Sequence, residues 1–397
     1  MHSIQGNEKF NVLLLAIGQA LFLTTAVTVM TLSGLVGQRL TPSPELATLP
    51  VSAMMLGTLL STLPASLLMK RIGRRGGFLL GTLAGAAGGA LSVVAILQST
   101  FWLFTFASLL LGIYQAFAMY YRFAAADAAS DAFRSRAISL VLAGGVISAF
   151  LGPWNAGLSG ALVPSVPDLG PYVVITVLAL LAFGLLALLR IPGEQAALVE
   201  AQRPLRQIAR QPAFPVAVLA AAVGYAVMIM LMTATPLAMQ SAGFSRAEAA
   251  FVMQWHVLGM FVPSFFTGGL IARFGVERVL LAGVAILLAS ITTALSGQTL
   301  AHFLVALILL GIGWNFLFIG GSTLLTTTHQ MSERGKVQGV NDLLVFASVA
   351  TASFLAGALL HRVGWSALNL AAAPFVVVTA LATLWLMRNK RRNSGIG

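Results

Sequence analysis

Apolar residues run along this chain in long blocks, separated by short polar breaks, with no sustained alternation of apolar and polar positions. From Asn11 to Met387 each block is long enough to cross about 30 Å of hydrocarbon as a helix. Twelve are read, at about 11–37, 46–69, 76–97, 101–125, 136–162, 170–190, 212–239, 247–271, 277–297, 300–325, 337–360 and 366–387. The longest interval between them is 191–211, opening on Ile191-Pro192-Gly193 and ending before Pro212. Within it Ala197, Leu198, Ala201, Leu205 and Ile208 alternate with Glu194, Glu200, Arg203, Arg206 and Arg210, a pattern that suits an amphipathic helix lying on a membrane surface. The pattern predicts an all-α membrane protein of twelve transmembrane helices. Residues 1–190 form an N-terminal six-helix bundle, 191–211 a cytoplasmic linker and 212–397 a C-terminal six-helix bundle.

The two halves repeat. Leu56-Gly57, Arg71-Ile72-Gly73 and Gly81 match Leu258-Gly259, Arg273-Phe274-Gly275 and Gly283 at an offset of 202. Leu110-Leu111-Gly112-Ile113 matches Leu309-Leu310-Gly311-Ile312 at an offset near 200, with Arg134 and Arg136 matching Arg334 and Lys336. A duplicated six-span unit implies two bundles related by an axis along the membrane normal. A transport site then lies near the midplane between them, and the bundles rock about it.

Composition strengthens the membrane reading: 58% of the 397 residues are hydrophobic and only 9% charged, against about a quarter charged in soluble chains. Charge supplies orientation. With both termini cytoplasmic, only Arg39, Arg246 and Arg362 of the 23 basic residues face outside, and Arg122 falls within a span. That bias follows the positive-inside rule, and one miscounted span would scramble it. The net charge of +12 therefore belongs to short loops, and no nucleic-acid partner is expected. Cysteine is absent, which removes disulfides and thiolate metal sites. The first ten residues are polar and the first apolar run is too long for a cleavable signal. No catalytic triad or phosphate-cradling loop is visible, so no enzyme is expected.

Candidate chemistry sits in spans seven and eight. Met228 and Met232 are four apart, as are His256 and Met260, so each pair shares a helix face. Thioether and imidazole are neutral ligands that suit copper(I) and are cheap to hold in a membrane, where charge is costly. At about 1.5 Å per residue, Met232 lies roughly 10 Å and Met228 roughly 17 Å below the outer end of span seven. On span eight His256 lies roughly 14 Å deep and Met260 roughly 20 Å. The expected site is Met228, Met232 and His256 around one ion, with Met260 as the next step inward and Met239 and Met253 as an outer path. Methionine pairs also serve as ordinary helix packing, and a buried histidine also bonds between helices.

Over its whole length the chain resembles the major facilitator superfamily. Ser66-Leu-Leu-Met-Lys70-Arg71-Ile72-Gly73-Arg74-Arg75 is similar to that family's signature between spans two and three, with Ser66 for its glycine and Lys70 for its aspartate. Gly152-Pro153-Trp154-Asn155-Ala156-Gly157 is a partial version of the glycine-rich motif of antiporters. The Met and His pairs, with Tyr114-Gln-Ala-Phe-Ala-Met-Tyr-Tyr-Arg122-Phe123, resemble the CcoA-like transporter family of bacterial copper importers. That resemblance implies copper import across the bacterial cytoplasmic membrane by alternating access, for assembly of a cbb-type cytochrome oxidase. Copper is then the cargo, with no permanent cofactor; copper chaperones and the lipid bilayer are the partners, and the protein is a monomer. An alternative is a small organic solute, riboflavin-like or a drug, with Met and His as packing. A third reading, a non-transporting sensor or assembly partner, fits poorly with a duplicated chain lacking a soluble domain.

Other residues are expected to gate or to brace. Lys70, Arg71, Arg273 and Asp342 belong to an inner gate. Arg122 snorkels or pairs with Asp127, or contacts an anion. Pro153 and Pro236 bend their helices, and neighbouring helices satisfy the freed carbonyls. Asn155, Asn315, Thr24, Thr25 and Thr28 line the cavity or bond between helices.

Overall fold

The apolar blocks become helices in a computed structural model that describes residues 2–41, 43–166, 168–190 and 203–394. These are α1 (His2–Leu40), α2 (Leu49–Leu97), α3 (Phe101–Ala118), α4 (Tyr121–Ala128), α5 (Asp131–Leu158), α6 (Leu169–Leu186), α7 (Leu205–Ala209), α8 (Ala213–Ser241), α9 (Arg246–Phe261), α10 (Ser264–Phe274), α11 (Val276–Ser296), α12 (Leu300–Thr326) and α13 (Arg334–Ser394). No strand occurs among the described residues. Ten of the continuous or nearly continuous helical stretches are long and apolar enough to cross a membrane. Two of them are far too long for one crossing. The 49 residues of α2 and the 61 of α13 would extend about 75 and 90 Å, and each leaves helical geometry at one glycine. Gly73 has φ 79° and Gly364 φ 78°, a region open to glycine and costly for other residues. Each therefore crosses twice, which restores the twelve spans.

The sequence repeat is also a backbone repeat. Gly275, offset by 202 from Gly73, closes α10 at φ 85°, so the equivalent loop turns the same way in both halves. Gly57 and Gly112 let α2 and α3 touch backbone to backbone: a Cβ on Gly112 would collide with the Met54 carbonyl. Their counterparts do the same for α9 and α12, where a Cβ on Gly311 would stand 2.5 Å from the His256 carbonyl oxygen. Small residues at crossings are how membrane helices approach closely.

Helices α1–α6 pack largely among themselves, as do α8–α13; α1, α2 and α5 meet α8, α9 and α13 between the two sets. At one end this seam is bonded shut. The Asp168 carboxylate, 1% exposed, pairs with Arg39 and with Arg246 across the seam. Thr48 donates to the Ser353 carbonyl (3.3 Å) and accepts from the Gly357 amide (3.1 Å). Glu45 pairs with Arg362 at 2.9 Å. The opposite end carries Lys70, Arg71, Arg74, Arg75 and Arg273 and is the basic face. There the described ion pairs stay within one half, Arg74 with Asp127 and Lys390 with Glu277. Arg203 is clamped onto Glu333 through its Nε (2.8 Å), and its guanidinium holds that carboxyl well below the usual carboxylate range. Of the predicted linker, 191–202 lies outside the described residues; its end forms the single turn α7, with Ile208 buried.

Candidate functional site

Between the two sets, at mid-height, lies a cavity of about 240 Å³ walled by residues of α1–α5, α8–α10 and α12. The second half supplies an aromatic wall. Trp314 and Phe318, one turn apart on α12, stack with centroids 5.2 Å apart and planes within 10°. Tyr225 meets both edge-on, at 5.5 and 5.4 Å, and Phe261 stands edge-on to Trp314 at 6.4 Å. These are the preferred aromatic geometries, and they leave a rigid, flat-sided wall. Thioethers complete it: Met228, Met232 and Met260 from the second half, Met30, Met55 and Met119 from the first. The polar lining is Gln19, Gln115, Arg122, Ser264 and Asn315.

The cavity adjoins a vestibule of about 420 Å³ toward the basic face through Met119 and Arg122, which line both. Arg122 lies over the Phe123 ring at 4.8 Å, not on Asp127, which Arg74 holds. Asp342 lines the vestibule from the other half and accepts from Asn341 at 3.1 Å. A second opening of about 310 Å³ brings Lys70 and Arg74 opposite Gly335 and Gln338. Arg71 and Arg273 are exposed on the basic face, with Arg273 over the Phe274 ring at 5.2 Å.

The four expected copper ligands are not brought together. Met228, Met232 and Met260 face the cavity, whereas His256 does not line it. Its ring is fully buried against α12, with Nδ1 donating to the Leu307 carbonyl at 2.7 Å. The reason is rotation along α9. The glycine crossing at Gly259 and Gly311 draws the His256 side of α9 onto α12, while Met260 stays on the cavity side. Met239 and Met253 are also buried outside the cavity lining. Among the described residues no three histidine or carboxylate side chains form a metal site.

The asparagines separate in the same way. Asn155 is buried between helices, donating to Thr28 Oγ1 (3.1 Å) and the Pro171 carbonyl (3.3 Å). Asn315 reaches the cavity but braces the break at Pro263: its Nδ2 donates to the Met260 carbonyl (2.7 Å) and Ser264 hydroxyl (2.6 Å), and its Oδ1 accepts from Thr267 (2.7 Å). Thr24, Thr25 and Thr28 donate to carbonyls one turn earlier on α1. Sequence reasoning missed Gln115, Tyr225, Phe261, Trp314, Phe318 and Asp168. Carrying the repeat register three residues past Gly112 and Gly311 would have flagged Gln115 and Trp314.

A family model described as Major Facilitator Superfamily matches residues 13–255 and 217–396. The riboflavin transporter RfnT of Brucella anthropi is 43% identical over 383 residues, covering 96% of each chain. The uncharacterized MFS-type transporter YddS of Bacillus subtilis is 26% identical over 377 residues, 90% of this chain and 86% of its own. Among solved structures, a D-xylose-proton symporter aligns over 96% of this chain and 97% of its own with TM-score 0.73 and 15% identity. The human organic anion transporter MFSD10 aligns over 95% and 99%, with TM-score 0.69 and 15% identity.

Proposed function

This chain belongs to the major facilitator superfamily, and on that premise we propose that it carries a riboflavin-like aromatic solute across a bacterial cytoplasmic membrane. It is a multi-pass membrane transporter and not an enzyme. The observation that carries the cargo is the 43% identity to a riboflavin transporter over 96% of both chains. The cavity's chemistry agrees. Pockets for organic ligands are mostly apolar and aromatic with a few placed polar groups, and the wall of Trp314, Phe318 and Tyr225 with Gln115 and Arg122 is of that kind. With the basic face cytoplasmic by the positive-inside rule, the seam is closed outside and open inside, an inward-open state of alternating access with two bundles rocking about the cavity.

Copper loses support on the same geometry. Six thioethers line a space sized for an organic molecule, and His256, whose Nδ1 bonds Leu307 and whose buried Nε2 has no partner, lies outside that lining. Proteoliposomes holding only the purified chain decide between them. Time-dependent, saturable riboflavin uptake is expected, with no copper accumulation above empty vesicles. Copper uptake that disappears in Met228→Leu, with no riboflavin flux, would overturn the proposal.

A further inference from the structure

Some polar side chains on the cavity wall are already engaged. Asn315 and Ser264 satisfy each other and the broken turn at Pro263. By contrast, the buried Gln115 Oε1 and Trp314 Nε1 have no hydrogen-bond partner. Their residues are only 8% and 7% exposed, and both line the cavity. Buried polar atoms are nearly always bonded, so each such exception asks for an explanation.

The two sit at equivalent places. The register that matches Gly112 to Gly311 matches Gln115 to Trp314, so the same helix position faces the cavity from each half, with different chemistry. The indole N–H only donates, and its direction is set by the stack on Phe318. The carboxamide of Gln115 both donates and accepts. We propose that Gln115 and Trp314 are the cargo's polar anchors: Gln115 pairs with a lactam or imide edge, and the Trp314 N–H donates to an acceptor elsewhere on the same planar molecule. This rests on the organic-solute reading and narrows it to a flat heteroaromatic with an N–H beside a carbonyl. The pyrimidinedione end of a flavin has that edge. Because the anchors lie on opposite halves, one bound molecule links the bundles at the level about which they rock.

The test is uptake into proteoliposomes of riboflavin and of riboflavin methylated at its imide nitrogen, by wild type, Gln115→Met and Trp314→Phe. Each substitution keeps bulk and removes the hydrogen-bonding group. Wild type is expected to prefer riboflavin by about tenfold in half-saturation, the size of one good hydrogen bond. Gln115→Met is expected to lose that preference. Trp314→Phe is expected to keep it while weakening both flavins by about tenfold. The preference is a ratio within one preparation, so it does not depend on how much protein folds. Riboflavin flux with no preference in wild type, or with both variants unchanged, overturns the anchors alone. No riboflavin flux in wild type overturns the cargo reading and the anchors with it.

Discussion

The two halves share a frame and differ in their walls. At the helix crossings the residues are the same: Gly57 and Gly112 in one half, Gly259 and Gly311 in the other, each letting backbones touch. At the cavity the equivalent positions have diverged, Gln115 against Trp314, Met119 against Phe318 and Met55 against Val257, and all six line the space. The contrast shows what each position answers to. A crossing is constrained by backbone distance, which duplication copies and packing then holds. A wall answers to what is carried, and a cargo of the proposed kind, with one polar edge and one apolar body, would call for two unlike walls. The first half supplies the carboxamide and the guanidinium; the second supplies the aromatic stack.

The largest expected effect tests the shared frame. Gly112→Val and Gly311→Val should each destabilise the folded protein by about 1–3 kcal/mol, the range for overpacked cores, because the added carbon meets a backbone carbonyl in both cases. Thermal unfolding in detergent checks this, and a large loss in one half with tolerance in the other would break the equivalence. A smaller effect separates the closed end from the open one. The chain has no cysteine, so Leu35→Cys, at a buried position of the closed end, reports opening by thiol labelling. Asp168→Asn should speed labelling severalfold, since it strips two arginines of a buried partner. Glu45→Gln should change it by less than about twofold, because that pair is half exposed. The smallest effect sharpens the difference between walls. Met228→Leu, Met232→Leu and Met260→Leu conserve volume, so riboflavin half-saturation should stay within about twofold of wild type. A copper carrier would lose its cargo in the same variants.

Much of the scaffold was legible in advance because membrane burial writes itself into composition. An apolar block must be a helix, since no water satisfies its backbone, and basic loops fix the count by sidedness. The break at Gly73 was marked by its match to Gly275. The candidate site was legible only in part. Helical spacing put Met228 and Met232 with His256 around one ion and Met260 one step inward; the three methionines line the cavity. His256 shares a face with Met260 on an ideal helix, yet the crossing at Gly259 turns that residue onto Leu307. Depth along a span follows from residue number; rotation about the helix axis follows from which neighbour packs closest.

The sequence by itself determined the twelve crossings, the duplication and the superfamily, because hydrophobic length, charge bias and repeated glycines are one-dimensional signals. Only the tertiary structure decided which polar groups have partners. Asn155 and Asn315 looked alike along the chain, and Gln115 stood only within a family-like segment, with no role of its own. Whether a side chain's hydrogen bonds are filled depends on carbonyls and hydroxyls brought in by other helices, from residues as far apart as Asn155 and Thr28. At the cavity, that accounting left the Gln115 Oε1 and the Trp314 Nε1 open, on walls from opposite halves.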